Sequence, residues 1–180
     1  MAGTYLLGSS APGDVASQSV LPLVARAPLN RGALPNLDTD IDDKPGRLLK
    51  KSSGIQLGNR DKIQRFRLDP AGTLRLNGQA TLVLYAAARD FDDDDVQARA
   101  TLLDCTDTAG LCSTFATATA NFDDTHSQFL PITFDFGAVS RTLAASHNLE
   151  LWIVVTTNSE REMWMAYDTS YYESALTITM

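Results

Sequence analysis

The sequence contains few of the residues from which enzymes commonly build active sites. Two cysteines and two histidines occur in 180 residues, so a zinc site of Cys and His ligands is not indicated. No G-x-S-x-G motif is present to mark a nucleophilic serine. His126 and His147 lie in polar segments typical of turns. The carboxylates cluster in loops without an aromatic enclosure that would raise the pKa of one of them. We therefore predict that the chain is not an enzyme.

Long apolar runs and an excess of basic charge are also missing. No segment approaches the roughly 20 apolar residues that span a bilayer, and the opening MAGTYLLGSSAPG lacks the n-region and h-region of a signal peptide. A cleaved signal, another export route and assembly inside a cell all fit this beginning. The net charge of -7 makes nucleic acid and anionic membrane poor partners. A basic cluster is diluted by acids and is interpreted as solvated surface: Arg47, Lys50, Lys51, Arg60, Lys62, Arg65 and Arg67.

The length and composition indicate one domain preceded by an arm. A chain of 180 residues with 44% apolar residues is long enough to bury a core and is not generally disordered. Residues 1–60 hold five of the seven prolines and show only short strand-like segments at 5–7 and 20–25, the second with Pro22 suggesting an edge strand. We predict an extended N-terminal arm over 1–60 that wraps a β-sandwich domain over 61–180.

The domain is dominated by alternating apolar residues. Residues 80–86 and 96–102 each place every second side chain on one apolar face, which is typical of strands with one buried side. We expect these two strands to pair antiparallel across the acidic run at 90–95. Further strands are predicted at 63–68, 114–122, 129–136, 149–157, 163–167 and 175–180, with a break at 137–148 that has room for one helical turn. The pattern predicts an all-β, antiparallel two-sheet β-sandwich of jelly-roll type.

Cys105 and Cys112 bracket the segment CTDTAGLC between two predicted strands. Their position at the base of a turn predicts a disulfide, which would contribute roughly 2.5 kcal/mol by the chain-entropy model. The alternative is a pair of free buried thiols.

The arm contains a dense acidic segment, NLDTDIDDKPG. Asp38, Asp40 and Asp42 occupy alternate positions, and Asp43 follows directly. Calcium prefers several carboxylate and carbonyl oxygens, which a curling loop of this kind can supply. We predict a calcium site at these four residues, although the spacing is not that of an EF-hand. The alternative is a solvated acidic turn.

Aromatic residues concentrate in the last thirty residues. Trp164, Tyr171 and Tyr172 are candidates for ligand binding, because sugar-binding sandwiches present aromatic faces beside polar groups. Trp164 is expected on the opposite face of its strand from Met163 and Met165. Burial in the core is the alternative for a tryptophan in a strand.

Several of these segments together resemble a known kind of module. LNGQATLVLYAAARDF, ITFDFGAVSRTLAASHNLELWIVV and MWMAYDT, with NLDTDID and its following Pro-Gly turn, resemble a jelly-roll or galactose-binding-like module of exported, multidomain bacterial proteins. The resemblance covers about 130 residues and implies the fold more than an activity. Related sandwiches include carbohydrate-binding modules and accessory lobes of ester and peptide hydrolases. Many carry a structural calcium, which would correspond to Asp38, Asp40 and Asp42.

Two functional hypotheses follow. The first is a non-catalytic structural or interaction module of an extracellular or particle-surface assembly, with other protein subunits as partners and calcium as a stabilising ion. The alternative is a carbohydrate-binding module with a glycan as partner. Neither involves nucleic acid or insertion into a membrane.

Overall fold

The computed structural model describes residues 2–8, 23–26, 47–52, 63–88, 95–106, 111–123, 129–166 and 174–179. Within these ranges no helix has the length and apolar character that crossing a bilayer requires. The described residues form twelve strands: β1 (Ala2–Gly8), β2 (Leu23–Arg26), β3 (Arg47–Leu49), β4 (Lys51–Ser52), β5 (Gln64–Leu68), β6 (Leu74–Ala88), β7 (Asp95–Thr106), β8 (Cys112–Asp123), β9 (Leu130–Leu143), β10 (His147–Thr156), β11 (Met163–Ala166) and β12 (Ala175–Thr179).

The strands form two facing sheets. In the first sheet β6 pairs with β9 on one side and with β11 and β12 on the other, and β3 and β1 extend that second side. In the second sheet β7 lies between β8 and β10, and β10 also pairs with β4 and β5. The pairs β1–β2 and β4–β10 are parallel and the other described pairs are antiparallel. The predicted all-β, two-sheet sandwich is confirmed.

The core lies between the sheets and follows the predicted alternation. Alternate side chains of β6 from Ala80 to Ala86, and of β7 from Val96 to Leu102, are fully buried. They pack in one cluster with Leu151, Ile153 and Val155 of β10. Full burial of a leucine or isoleucine side chain contributes about 1.5–3 kcal/mol, so this layer is the main stabilising element of the fold.

The predicted pairing of the two central strands is wrong. β6 belongs to the first sheet and β7 to the second, so they face each other across the core. Their partners by hydrogen bonding are β9 for the first and β8 and β10 for the second. Alternation identifies the buried face of a strand, but strands that are neighbours in one sheet and strands opposed across a core show the same alternation.

The predicted break after residue 136 is replaced by a bulge inside one long strand. Ala80 pairs with Gly137 and Thr81 with Asp135, so Phe136 is the extra residue. Gly137 has φ of 71°, in the left-handed region that glycine adopts at low cost. The Asp135 Oδ1 atom accepts a hydrogen bond from the Gly137 N–H at 2.8 Å. β9 therefore continues to the far end of the sandwich, where a turn rather than a helix leads to β10.

Parts of the first sixty residues are strands of the sandwich. β1 pairs with β12 of the first sheet through residues 2–6 and with β2 of the second sheet through Leu7 and Gly8. β2 has β1 on one side and β5 on the other, so the edge position suggested by Pro22 is not observed. Residues 9–22, 27–46 and 53–62 lie outside the described ranges, and the division into an arm and a domain stays a prediction.

Candidate functional site

Three polar side chains converge between the sheets at one end of the sandwich. Asp104 lies near the end of β7, on the same inward face as Leu102. His147 begins β10, two residues before the buried Leu149 that pairs with Asp104. Arg141 comes from β9 of the opposite sheet. The ends of strands from both sheets thus bring an acid, an imidazole and a guanidinium together.

Both carboxylate oxygens of Asp104 are engaged. The His147 Nδ1 atom lies 2.6 Å from Oδ1, and Arg141 approaches Oδ2 with Nε at 2.9 Å and Nη2 at 2.8 Å. Because an ionised carboxylate only accepts hydrogen bonds, Nδ1 is the donor, and Nε2 is the nitrogen that remains. We call these three residues the Asp104 clamp, since they join the first sheet to the second through charge-assisted hydrogen bonds.

The clamp is accessible from one side. The Asp104 side chain is 4% exposed, whereas those of Arg141 and His147 are 36% and 31% exposed. A buried carboxylate requires compensation by hydrogen bonds or an opposite charge, and its two partners supply both. Their outer edges remain open to solvent.

A cavity of about 250 Å³ adjoins the clamp. We call it the end cavity. Besides the three clamp residues, its lining includes Thr106, Leu111, Cys112 and Ser113. It is smaller than the cavities of roughly 300–1,000 Å³ that hold drug-sized ligands. Leu111 at its rim is a large apolar side chain that is 70% exposed.

The predicted disulfide is confirmed and forms part of this rim. Cys105 and Cys112 are a cross-strand pair of β7 and β8 joined by an S–S bond. The Thr106 N–H donates to the Leu111 carbonyl oxygen at 2.9 Å just beyond the bond. Cys105 is buried and Cys112 is partly exposed. The bond fixes the end of the β7–β8 pair beside the cavity, and it excludes the alternative of free thiols.

A second ionic cluster lies on the outer face of the second sheet. The Arg65 guanidinium donates to Glu150 through Nε at 2.9 Å and through Nη2 at 2.6 Å. The Trp152 indole N–H also donates to Glu150, and the Arg65 guanidinium carbon lies 5.2 Å from the Trp152 ring centroid. Arg65 and Glu150 are 3% and 2% exposed. We call this group the Arg65 cluster; the interpretation of Arg65 as solvated is wrong.

Trp164 is not at the surface. It is 3% exposed and packs with Ala87, Phe129 and Ala166. Met163 and Met165 belong to the central core, so Trp164 does lie on the opposite face of β11, as expected. Its burial agrees with the packing alternative and leaves no free face on which a sugar could stack. Tyr171 and Tyr172 lie outside the described residues.

The predicted calcium ligands cannot be placed. Asp38, Asp40, Asp42 and Asp43 lie outside the described residues, and of the acidic run at 90–95 only Asp95 is described. Among the residues that the structure describes, no three His, Cys, Asp or Glu side chains converge as a metal-binding group. The calcium site therefore stays a prediction.

The end cavity contains residue types of a hydrolytic triad without its connections. Ser113 and His147 both line it, but no hydrogen bond of the described residues joins them. A nucleophilic serine requires a base within hydrogen-bond reach. Asp104 is also committed to Arg141 on its second oxygen. The contacts of Asp104 therefore join the two sheets.

Sequence reasoning identified His147 as a turn residue and missed the clamp. A signal was available in the alternation itself. Asp104 follows Ala100 and Leu102 at an inward position, and Arg141 follows Val139 in the same way. Charged residues at inward positions of two strands are rarely left unpaired, so their opposite charges indicated a contact between the strands.

Comparisons with known proteins show the fold. No family model matches the sequence, and no curated protein matches it at a significant level. An α-amino acid ester hydrolase aligns with a TM-score of 0.55 and 12% identity over 66% of this chain. A CocE/NonD family hydrolase from Staphylococcus aureus gives 0.53 and 15% over 90%. An aminopeptidase from the marine sediment archaeon Thaumarchaeota archaeon gives 0.50 and 13% over 67%.

The chain spans only a part of each of these proteins. It covers 25% of the ester hydrolase, 41% of the CocE/NonD family hydrolase and 26% of the aminopeptidase. The structural alignments show that a part of each hydrolase chain shares this β fold, and identities of 12–15% extend the likeness no further than the fold.

Proposed function

We propose that the chain is a non-catalytic structural or interaction module of an extracellular or particle-surface assembly. The observation that carries the proposal is the Asp104 clamp. The Asp104 carboxylate joins the two sheets, with His147 on one oxygen and Arg141 on the other. A general base must reach a proton of the substrate, and a nucleophile must be within reach of a base. In the clamp the Asp104 carboxylate is shared between His147 and Arg141, and no hydrogen bond of the described residues joins His147 to Ser113.

The structural likeness to parts of hydrolases supports a role as one domain of a larger protein or assembly. Three hydrolases contain a part with this fold, and this chain spans a quarter to two fifths of each. The activities that the names of those hydrolases state are not transferred to this chain. For this chain the likeness favours an accessory β domain, whose partners are protein subunits of the same or a different kind.

The disulfide supports the proposed location. Cys105 and Cys112 are bonded, and structural disulfides form and persist in oxidising environments such as the cell exterior. The exposed Leu111 beside this bond is an apolar contact point that a protein partner could cover. The carbohydrate-binding alternative has less support, because Trp164 is buried and only Tyr171 and Tyr172 remain as candidate stacking residues.

An activity assay with matched variants tests the proposal. The purified protein is incubated with aminoacyl esters and short peptides, and hydrolysis is compared for the wild type, Ser113→Ala and His147→Gln. We expect hydrolysis at the rate of buffer for all three. A wild-type rate above buffer that either variant abolishes would overturn the proposal. Native mass measurement of the same samples reports the oligomeric state.

Calcium is the stabilising ion in this proposal. Asp38, Asp40, Asp42 and Asp43 would hold it, and a ligand at a hundredfold excess over its Kd stabilises the native state by about 2.7 kcal/mol. The melting temperature should fall on addition of chelator and recover with calcium, and Asp40→Ala should remove this response. If chelator leaves the wild-type melt unchanged and elemental analysis finds no metal, the segment is a solvated acidic turn.

A further inference from the structure

The end cavity contains hydrogen-bond donors that the clamp does not use. A guanidinium has five N–H donors, and the contacts of Arg141 with Asp104 involve only Nε and Nη2. His147 contacts Asp104 through Nδ1, so its Nε2 atom is not engaged there. Ser113 adds a hydroxyl. Within the described ranges, no further acceptor bonds to these groups.

The same cavity has an apolar side. Leu111 and Cys112 line it, and Cys112 carries half of the disulfide. Donors on one side and carbon and sulfur on the other are the features of a small-molecule pocket, in which a few polar groups orient a mostly apolar ligand. The volume of about 250 Å³ limits the occupant to a small molecule.

We propose that the end cavity binds a small organic carboxylate. The outer N–H groups of Arg141 donate to its two oxygens, the Ser113 hydroxyl donates a further hydrogen bond, and its carbon chain lies against Leu111 and the disulfide. This inference goes beyond the proposed module function and does not require it.

Charge and shape favour a carboxylate over other small ions. The planar guanidinium fork matches a carboxylate in a bidentate geometry. Asp104 lies behind the fork with both oxygens engaged, so one added negative charge faces the Arg141 guanidinium first. A phosphate dianion would bring a second charge toward the Asp104 carboxylate and would gain nothing from the apolar wall. A cation would meet the Arg141 charge.

Butyrate is the probe, and butyramide is its neutral control of the same size. In an NMR titration of the full chain, butyrate should shift the Arg141 Nε–H and His147 ring signals to saturation. The affinity for butyramide should be at least about tenfold lower, because butyramide lacks the charge that strengthens a hydrogen bond. Inorganic phosphate should bind more weakly than butyrate.

Matched variants locate the site. Ser113→Ala removes a donor outside the clamp and should weaken butyrate binding about three- to tenfold with an unchanged melt. Thr114→Ala changes the next residue of β8, which pairs with Leu103 and is exposed, and should leave binding unchanged. Arg141→Lys keeps the charge and loses the fork, so binding should fall by about tenfold or more. Arg75→Lys, on an exposed position of β6, is its control.

The outcomes separate clearly. Shifts that do not saturate, equal binding of butyrate and butyramide, equal or tighter binding of phosphate, or the same affinity in Ser113→Ala and Thr114→Ala would each overturn the proposal. If Arg141→Lys fails to fold, Ser113→Ala still decides the question. The outcome of the hydrolysis assay does not depend on whether butyrate binds. Failure of the carboxylate site is therefore distinguishable from failure of the module proposal.

Discussion

The Arg65 cluster and the Asp104 clamp use the same parts in two different surroundings. Each has one carboxylate that accepts from an arginine and from a ring N–H: Glu150 from Arg65 and Trp152, and Asp104 from Arg141 and His147. In the cluster the arginine is 3% exposed, whereas in the clamp it is 36% exposed. One site is sealed and the other is open.

The difference separates an ionic site that is closed to solvent from one whose partly exposed side chains solvent can reach. In the Arg65 cluster, Arg65 and Glu150 are both desolvated, so each charge depends on the other. The cluster also lies within one sheet, between the paired strands β5 and β10. The clamp spans two sheets, and solvent can reach Arg141 and His147. Removing one partner should therefore cost more in the cluster than in the clamp.

The largest expected effect is that of Glu150→Gln. The amide keeps the shape of the side chain but removes the buried negative charge that accepts hydrogen bonds from Arg65 and Trp152, which should lower the free energy of unfolding by about 3–5 kcal/mol. Urea denaturation measures it. Glu160→Gln, at an exposed position, is the control and should change stability by less than about 0.5 kcal/mol. Equal effects of the two substitutions would show that the cluster is not sealed.

Loss of the disulfide should have the second largest effect on the free energy of unfolding. Replacing Cys105 and Cys112 together by alanine should lower stability by roughly 2.5 kcal/mol, because the unfolded chain regains the entropy of the small loop. Cys112 lines the end cavity, and Cys105 packs in one buried cluster with Trp152, so both the His147 ring signals and the Trp152 indole signal should shift. Urea denaturation measures the loss of stability, and an unchanged free energy of unfolding would contradict a stabilising role of the bond.

Asp104→Asn should have a smaller effect than its counterpart at Glu150. The partly exposed Arg141 and His147 can turn to water, so we expect a loss of about 1–2 kcal/mol. The two substitutions should be measured under the same conditions. A loss as large as that of Glu150→Gln would mean that the open side of the clamp contributes nothing to its solvation.

The sequence predicts the buried faces of the strands well, but it predicts poorly which strands pair with each other in a sheet. The alternation at 80–86 and 96–102 correctly identified the inward side chains. It could not show that β6 and β7 belong to different sheets, because hydrogen-bond partners depend on residues far along the chain. A glycine near residue 137 indicated an interruption, and a bulge within a strand satisfied the same constraint.

The two ionic sites show the same limit. Arg65 has many basic neighbours in the sequence, which is typical of a solvated surface, and only the outer face of the second sheet brings it to Glu150 and Trp152. Asp104 and Arg141 occupy inward positions of strands that are 37 residues apart. Their opposite charges were visible in the pattern, but the contact required the relative position of the two sheets.

A double-mutant cycle between Asp104 and Arg141 tests the central claim most directly, because the module proposal depends on this carboxylate joining the two sheets. The free energies of unfolding are measured for the wild type, Asp104→Asn, Arg141→Gln and the double variant. We predict a favourable coupling energy of about 1–2 kcal/mol, within the range of residues in direct contact. A coupling below about 0.3 kcal/mol, the additivity expected of independent sites, would show that Asp104 does not hold the sheets together and would reopen a catalytic role for it.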